Sequence, residues 1–587
     1  MHEEGIMKYI VAILCVLLNI SSNSALSEKP NVLFIVIDDL RASLESYGGP
    51  IISPYITELA SRSALFSNAK VQQSVCAPSR VSFLTGRRPD TTRLYDFGSY
   101  WRTHAGNYTT LPQHFKDNGY FTASVGKVFH PGIPSGGNDD YPYSWSIQPY
   151  HPSTQHYQGA KVCPNLDGTL HDNVMCPVNV SAMPLQSLPD MQSLEYSSSI
   201  LKNLSAASHS TNAHGRPDKT SRSPRDPDMQ PPFFLAVGFH KPHIPWKYPE
   251  EFKSLYPIES ISIASNPSRS PTQPAVAYED YSTLRQRDDI NALNMSFPNG
   301  TIPLQFHAPM RQSYYAAATY TDFLVGKLLQ TLNETGFSNN TIVILFGDHG
   351  WQLGEHAEWC KYSNYELATR VPLIVHVPGL TDKPKSSLPN VHQSALKMKD
   401  NVGTNADSGM VVTEFVELVD LFPTLSDLAG IEVPPTCPPD PFNVTLCSEG
   451  YSFAPLLEAN SNAILVGNAT KKLTSTRYSR WKNATYSQYP RPGVTPTRET
   501  DLPSLKVITV MGYSMRTKDH HYTEWIGFNH TTFTGNWTDV KARELYFNDK
   551  DYDQNHNVAD DPKFKDIVQE LSVQLKMGWR QSLPVPA

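Results

Sequence analysis

Beyond residue 25 the sequence has no apolar run long enough to cross a bilayer, so no membrane-spanning segment is expected in the body of the chain. Basic residues are not in excess: 49 Lys and Arg against 56 Asp and Glu leave a net charge of −7. The basic footprint that tracks nucleic-acid phosphates is missing, and a nucleic-acid partner is not expected. No internal repeat is visible, which argues against a repeat array. Cysteine is sparse, seven among 587 residues, so each one asks for an account.

The rest of the composition is that of an ordinary globular protein, with 39% hydrophobic residues and a length at which core burial is not limiting. The 48 prolines and 29 tyrosines point to many ordered loops. Lys8, the apolar stretch Tyr9 to Leu18 and the small residues through Ser24 and Ala25 have the three-part layout of a secretory signal, expected over residues 1–25. Dense glycosylation sequons, among them those at Asn107, Asn179, Asn203, Asn333, Asn443, Asn483 and Asn536, fit export. Cys163 with Cys176, and Cys437 with Cys447, are close enough to close two short loops in an oxidising compartment. Cys15 leaves with the signal, and Cys76 and Cys360 remain.

Short apolar runs at Val32–Ile37, Phe233–Phe239, Ile342–Phe346 and Leu373–Val377 read as buried strands. Helices are expected between them: one opened by Ser53 and Pro54 with Ile56, Leu59 and Ala60 inward, another carrying Tyr320, Leu324 and Leu328 before a turn near Gly336. This alternation predicts an α/β fold with a mostly parallel sheet covered on both faces. Asp38 and Asp39, His240, and Asp348 with His349 each follow a strand, and in open α/β sheets ligands sit at the carboxyl ends of strands. Residues 204–231 and 380–408 read as polar surface insertions. Past residue 450 the pattern changes, with a polar stretch Glu458–Arg480 open to nicking, a strand-like run Leu505–Met511 and a helix carrying Phe564, Ile567, Val568, Leu571 and Leu575 that should dock on the main body. The expected division is 26–450 for a catalytic domain and 451–587 for a smaller α+β subdomain.

The segment Cys76-Ala-Pro-Ser79-Arg80-Val-Ser-Phe-Leu84-Thr85-Gly86-Arg87 is the strongest motif. Pro78 suits a first helical turn, which places Cys76 at a helix N-terminus where free N–H groups favour an anion. Arg80 adds a positive fork. The segment resembles, without a mismatch, the signature C-x-P-S-R-x-x-x-L-T-G-R of the sulfatase family. The resemblance implies an alkaline-phosphatase-like fold, oxidation of Cys76 to formylglycine by a formylglycine-generating enzyme, and hydrolysis of sulfate esters by the aldehyde hydrate. It also implies one divalent cation, calcium, held by Asp38, Asp39, Asp348, His349 and the side chain at 76. Carboxylates from two strand ends do suit a hard cation, whereas histidine is a less usual calcium ligand.

Gly126-Lys127-Val-Phe-His130 resembles the family's second signature with one residue inserted, giving Lys127 a charge-neutralising role and His130 a proton-handling one. His240-Lys241-Pro-His243-Ile-Pro-Trp246 supplies the leaving-group acid, His240 by resemblance, with His243 the competing and more ordinary candidate. Lys361 matches the lysine that binds sulfate, while Cys360 beside it has no assigned role. The inserted residue, the Asp-His pair at 348–349 and the segments Leu94–Arg102, Tyr486–Pro492 and Met511–Thr517 resemble the branch of the family that removes 2-O-sulfate from iduronate. That branch implies a sulfated glycosaminoglycan substrate, dermatan sulfate or heparan sulfate, and a lysosomal or secreted protein. Trp351 and Tyr362 then become candidates to line a sugar pocket, and Arg491 and Arg516 candidates to grip a uronate carboxylate. Two rivals remain: a phosphate or phosphonate monoester hydrolase of the same superfamily, and a silent glycan-binding protein in which Cys76 stays a thiol.

Overall fold

The computed structural model describes residues 29–165, 168–213, 231–382, 409–463 and 478–586. The expected signal at 1–25 lies outside these residues, as do most of the three polar segments. Residues 204–213 are an exception to the expectation of a surface insertion, since they continue a helix that ends at Ala213.

Seven strands in one path build the main sheet: β1 Asn31–Ile37, β2 Ala64–Lys70, β3 Phe121–Gly126, β4 Phe233–Phe239, β5 Thr341–Gly347, β6 Arg370–His376 and β7 Met410–Val412. Their spatial order is β7-β2-β6-β5-β1-β4-β3, with the short strand Val416–Glu417 also paired to β2. The pairs of β1 with β4 and β5, β3 with β4, and β7 with β2 are parallel, while β6 runs antiparallel to both neighbours. The central strands are wholly buried, which is why they read as continuous apolar runs with no alternation.

Each face of the sheet carries its own core. Leu33, Ile35 and Ile37 of β1 point into one cluster, and Val32, Phe34 and Val36 into the other. The first face is covered by helices α1 Pro54–Ser61, α3 Pro189–Ala213 and α4 His307–Glu334; the second by α2 Cys76–Thr85 and α5 Leu421–Leu428. Helix α1 has the predicted inward residues, Ile56, Leu59 and Ala60. Its N-terminus, however, is not capped by the Ser53 hydroxyl, which instead accepts from the Glu45 N–H at 3.1 Å. The cap comes from α4, where Asp322 accepts the N–H groups of Ile56 at 2.7 Å and Tyr55 at 3.3 Å.

A second sheet follows, antiparallel and four-stranded: β8 Ala484–Arg491, β9 Val510–Thr517, β10 His520–Asn529 and β11 Thr534–Phe547. Of the run Leu505–Met511 only the last two residues are strand, the start being a short 3-10 turn at Leu505–Val507. The final helix, α6 Lys565–Met577, packs Leu571 and Leu575 against Ala484, Tyr486, Met515, Tyr522 and Leu545 of this second sheet. The surface it covers is thus the second sheet itself, not the main body. Both expected disulfides, Cys163–Cys176 and Cys437–Cys447, are present. Among the described residues no helix is long and apolar enough to cross a membrane.

Candidate active site

The carboxyl ends of β1, β4 and β5 lie side by side, tied beyond the strands by the N–H of Asp38 to Phe239 O at 3.1 Å and of Asp348 to Ile37 O at 3.2 Å. That pairing brings Asp38, Asp39, Asp348 and His349 to one edge. On β3 the approach to β4 is so close that a Cβ on Gly126, whose φ is +72°, would stand 2.2 Å from Gly238 O, and a Cβ on Gly238 2.0 Å from Lys127 O. Glycine at both positions lets Lys127 N–H reach Gly238 O at 2.9 Å and delivers the lysine to the same edge.

Cys76 is the first residue of α2 and is 1% exposed. Around its Sγ stand Lys361 Nζ at 3.1 Å, Asp38 Oδ1 and His349 Nε2 both at 3.4 Å, and Lys127 Nζ at 3.7 Å. Arg80, one turn along the helix, is fully buried; its Nε donates to Asp348 Oδ2 at 3.0 Å, its Nη2 lies 3.2 Å from Asp38 Oδ1, and its Nη1 donates to Val128 O at 3.0 Å. Lys361 donates to Asp39 Oδ1 at 2.6 Å, and Lys127 pairs with Asp38. Asp39 itself adopts φ +60°, a conformation unfavourable for a residue with a Cβ, held by its N–H to Asp348 Oδ1 at 3.0 Å and by Tyr314 donating to its carbonyl at 2.6 Å.

Three carboxyls and three cations therefore share one dry site. Burial alone would raise Asp38, yet Lys127, His243, Arg80 and Lys361 together hold it well below the usual carboxylate range. Burial wins at Asp39, raised to about 6, and at Asp348, raised to about 7, the latter despite Arg80. The Cys76 thiol is pushed up to about 12 by burial and by Asp38. Lys361 is held charged against burial by Asp39, as Lys127 is by Asp38.

The donors form two overlapping groups whose ligand atoms all lie within 4.8 Å: Asp38, Cys76, Asp348 and His349, and Asp38, Asp39, Cys76 and His243. Asp39 Oδ2 is buried without a hydrogen-bond partner, an acceptor that a cation would satisfy. His349 Nδ1 lies 3.0 Å from Gly350 O, and since a carbonyl only accepts, Nδ1 carries the proton and Nε2 is left as a lone-pair donor toward the cluster. Oxygen-rich donors with one imidazole fit a hard divalent cation.

The two remaining histidines with proposed proton roles make no hydrogen bond to Cys76. His130 stacks on Phe97 with ring centroids 4.3 Å apart, and burial together with Lys127 lowers it to about 3. His240 is held by Asp190, with its Nδ1 3.0 Å from Asp190 Oδ1. His243, read as ordinary from the sequence, is the histidine of the second donor group. Nothing local in the sequence separates it from His240; only the turn closed by His243 N–H on His240 O at 2.8 Å decides which ring faces the carboxyls.

Several expected sugar contacts are corrected. Arg491 is fully buried and spends its guanidinium on the carbonyls of Val276, Ala277, Tyr362 and Thr500, so it is not free for a uronate. Arg516 is paired with Glu366 at 3.1 Å. Trp351 has no exposed surface and stacks on Tyr314, and Tyr362 is 3% exposed; both pack in the core, although Lys361 Nζ lies 5.6 Å and 5.9 Å above their rings. Cys360 is a buried thiol in the same core.

The sulfatase family model matches residues 30–431, which include Cys76 and the charged residues around it. The chain belongs to the sulfatase family. It is 48% identical over 570 residues to human iduronate 2-sulfatase, covering 96% of this chain and 97% of that protein, and 48% identical to the mouse enzyme over 94% of each. Choline-sulfatase of Rhizobium meliloti is 26% identical over 77% of the chain. Among solved structures, a phosphonate monoester hydrolase from Silicibacter pomeroyi superposes with a TM-score of 0.61 at 19% identity over 94% of this chain and 96% of that one. A 2-O GAG sulfatase superposes with a TM-score of 0.56 at 20% identity over 94% and 93%. These two share the alkaline-phosphatase-like sulfatase fold with this chain, and at that identity they speak to fold alone.

Proposed function

We propose that this sulfatase hydrolyses the 2-O-sulfate ester of L-iduronate in dermatan sulfate and heparan sulfate. The observation that carries the reading is the 48% identity to iduronate 2-sulfatases along essentially the full length of both chains. The buried cluster around Cys76 supports the chemistry. Formylglycine at position 76 would supply a hydrated aldehyde, one hydroxyl to attack sulfur and the second to expel sulfate, which a thiol cannot do. Asp38, Asp39, Asp348 and His349 would hold Ca2+, whose charge would polarise the sulfate oxygens.

The chain's own residues carry the rest. Lys127 and Lys361 present two ammonium groups beside position 76, where they neutralise the bound sulfate and the charge that grows in the transition state. Arg80 locks Asp38 and Asp348 in place from the helix side. His130 manages the proton of the hydroxyl at 76, and a histidine of the 240–243 turn gives a proton to the departing sugar oxygen: His240 by resemblance, with the position of His243 among Asp38, Asp39 and Cys76 supporting the competing candidate. Burial of the whole cluster keeps water from screening these charges. The catalytic part spans residues 26–450, with 451–587 as the smaller subdomain. The disulfides suit the secretory route, and the lysosome is the proposed destination.

The test is sulfate release from a 2-sulfated iduronate glycoside by the glycosylated protein and by Cys76→Ala, with an aryl sulfate and a phosphonate ester alongside. Release from the iduronate substrate alone, reduced at least about 10³-fold by the substitution, is the expected outcome. Turnover of another ester without iduronate activity would overturn the substrate. A peptide mass at position 76 of plain cysteine would overturn the nucleophile.

A further inference from the structure

We propose that Tyr314 is a positioning residue for the cation site: its hydroxyl bridges the turn after β1 and fixes Asp39 so that this carboxyl serves the same cation as Asp38. The inference rests on the reading of Asp39 as a ligand of the proposed cation and goes beyond it. Consecutive residues of a strand point to opposite faces, so Asp38 and Asp39 would face apart if the strand conformation of β1 continued. Instead both carboxyls stand in one donor group with Cys76 and His243, with all its ligand atoms within 4.8 Å of one another. The φ of +60° at Asp39 is what breaks the alternation. A residue with a Cβ keeps such a conformation only where its surroundings over-determine it.

Two partners do so. Beyond β5, Asp348 Oδ1 accepts the Asp39 N–H at 3.0 Å. From α4, the Tyr314 hydroxyl donates to Asp39 O at 2.6 Å and accepts the N–H of Arg41 at 3.0 Å, so a single oxygen spans the turn from 39 to 41. A phenol hydroxyl has one proton to give and lone pairs to receive with, and both functions are used. The ring is itself held: Tyr314 has no exposed surface, stacks on Trp351 at 6.4 Å and meets Trp246 edge-on at 5.9 Å. Three residues earlier on the same helix face, Arg311 donates to Glu355 at 2.8 Å, and Glu355 also accepts from Arg41 at 3.1 Å. Helix α4 thus grips the turn twice, at its backbone and at the Arg41 side chain.

The consequence falls on one carboxyl. Asp39 Oδ1 is taken by Lys361 at 2.6 Å, whereas Oδ2 is buried without a partner. Drift of the turn moves that free oxygen relative to Asp38 and Asp348, whose own positions are set by Arg80. Loss of the Tyr314 hydroxyl should therefore weaken cation binding more than it weakens the fold.

The test is titration of the chelator-treated full-length protein with Ca2+, and with Mg2+ in a parallel series, by calorimetry and by Tm measured with chelator and with added cation, for wild type, Tyr314→Phe and Tyr256→Phe. Tyr256 is the matched control: its buried hydroxyl accepts the Ile52 N–H at 2.8 Å and pairs with Thr319 Oγ1 of α4 at 2.5 Å, away from the donor cluster. Tyr314→Phe keeps the ring and is expected to raise the Kd for the cation about 10–100-fold. The rise in Tm on adding a fixed cation concentration should shrink accordingly, and turnover lost at low cation should return in excess. Tyr256→Phe should lower Tm by the same amount with and without cation and leave Kd unchanged. The same behaviour from Tyr314→Phe would show that its hydroxyl only holds the fold and would overturn the proposal. Uptake of neither cation by wild type would overturn the cation reading and this inference with it. Affinity is read without turnover, so an error in the substrate leaves the matter decided.

Discussion

Two clusters of buried carboxyls are built into this fold, and they differ in what stands opposite them. At the sheet edge around Cys76, Asp38, Asp39 and Asp348 meet Arg80, Lys127 and Lys361. Behind Lys361, Glu279 faces Glu358 and Asp280 faces Asp501, carboxyl against carboxyl, all four 1% exposed or less. Trp359 N–H donates to Glu279 at 2.9 Å and Gln273 to Glu358 at 3.3 Å, but the nearest cation, Arg491, is committed to backbone carbonyls. Tyr278 and Tyr281 complete the surroundings. Equal burial gives different ionisation in the two clusters according to how many counter-charges each acid meets: Asp38, with several, is held low, whereas Asp39 and Asp348 are raised. In the first cluster they hold Asp38 charged, and in the second their scarcity leaves Glu279, Glu358 and Asp501 raised.

The sharpest way to break the contrast is to remove the shared cation of the first cluster. Arg80→Ala leaves Asp38 and Asp348 without their common partner and should cost about 3–5 kcal/mol of stability, read as a fall in the denaturation midpoint and loss of activity. Lys361→Met removes one ammonium beside position 76 and the partner of buried Asp39, and should lower kcat about 10²–10³-fold together with a fall in Tm. Titration behaviour separates the second cluster. Burial raises Glu358 to about 8, and burial together with neighbouring acids holds Glu279 and Asp501 well above the carboxylate range. A carboxyl with a raised folded pKa binds its proton more tightly in the native state than unfolded, so its contribution is complete below the unfolded value of about 4.3 and is lost as pH climbs toward 8. Glu355 and Glu417, each lowered to about 2 by arginine partners that outweigh burial, act in the opposite sense and lose stability as pH falls below that same value. Tm should therefore peak near pH 5, and Glu358→Gln should shrink the drop between pH 5 and 8 by on the order of 1–3 kcal/mol. A flat profile from pH 5 to 8 would contradict the reading of that cluster. The smallest effect is expected from Asp322→Ala, which uncaps α1 from a distance and should cost about 0.5–2 kcal/mol by thermal melting.

Four main-sheet strands, β1, β4, β5 and β6, were legible because they write themselves as unbroken apolar runs, and Phe233–Phe239 matches its strand to the residue; β2, β3 and β7, with polar or short sequences, were not. The segment proposed to carry the nucleophile was legible because one helix turn carries Cys76, Ser79 and Arg80 together. Asp190, Asp322 and His243 were not, since each acts on a partner brought near only by packing: Asp190 lies 50 positions from His240, and Asp322 lies 266 from Ile56. Arg491 and Arg516 misled for the converse reason. An arginine in a loop-rich, tyrosine-rich region looks available until the carbonyls and the carboxyl that occupy it are seen.

The burial of Cys76 also sets an order of events in the cell. With 1% of its surface exposed, at the start of a helix and ringed by Asp38, Lys127, Lys361 and His349, the thiol is out of reach of another protein once the sheet has closed. If Cys76 is converted to formylglycine, as proposed above, an enzyme acting on it would have to reach it before the chain closes around it. A substitution that speeds closure would compete with activation of the enzyme even as it stabilised the chain.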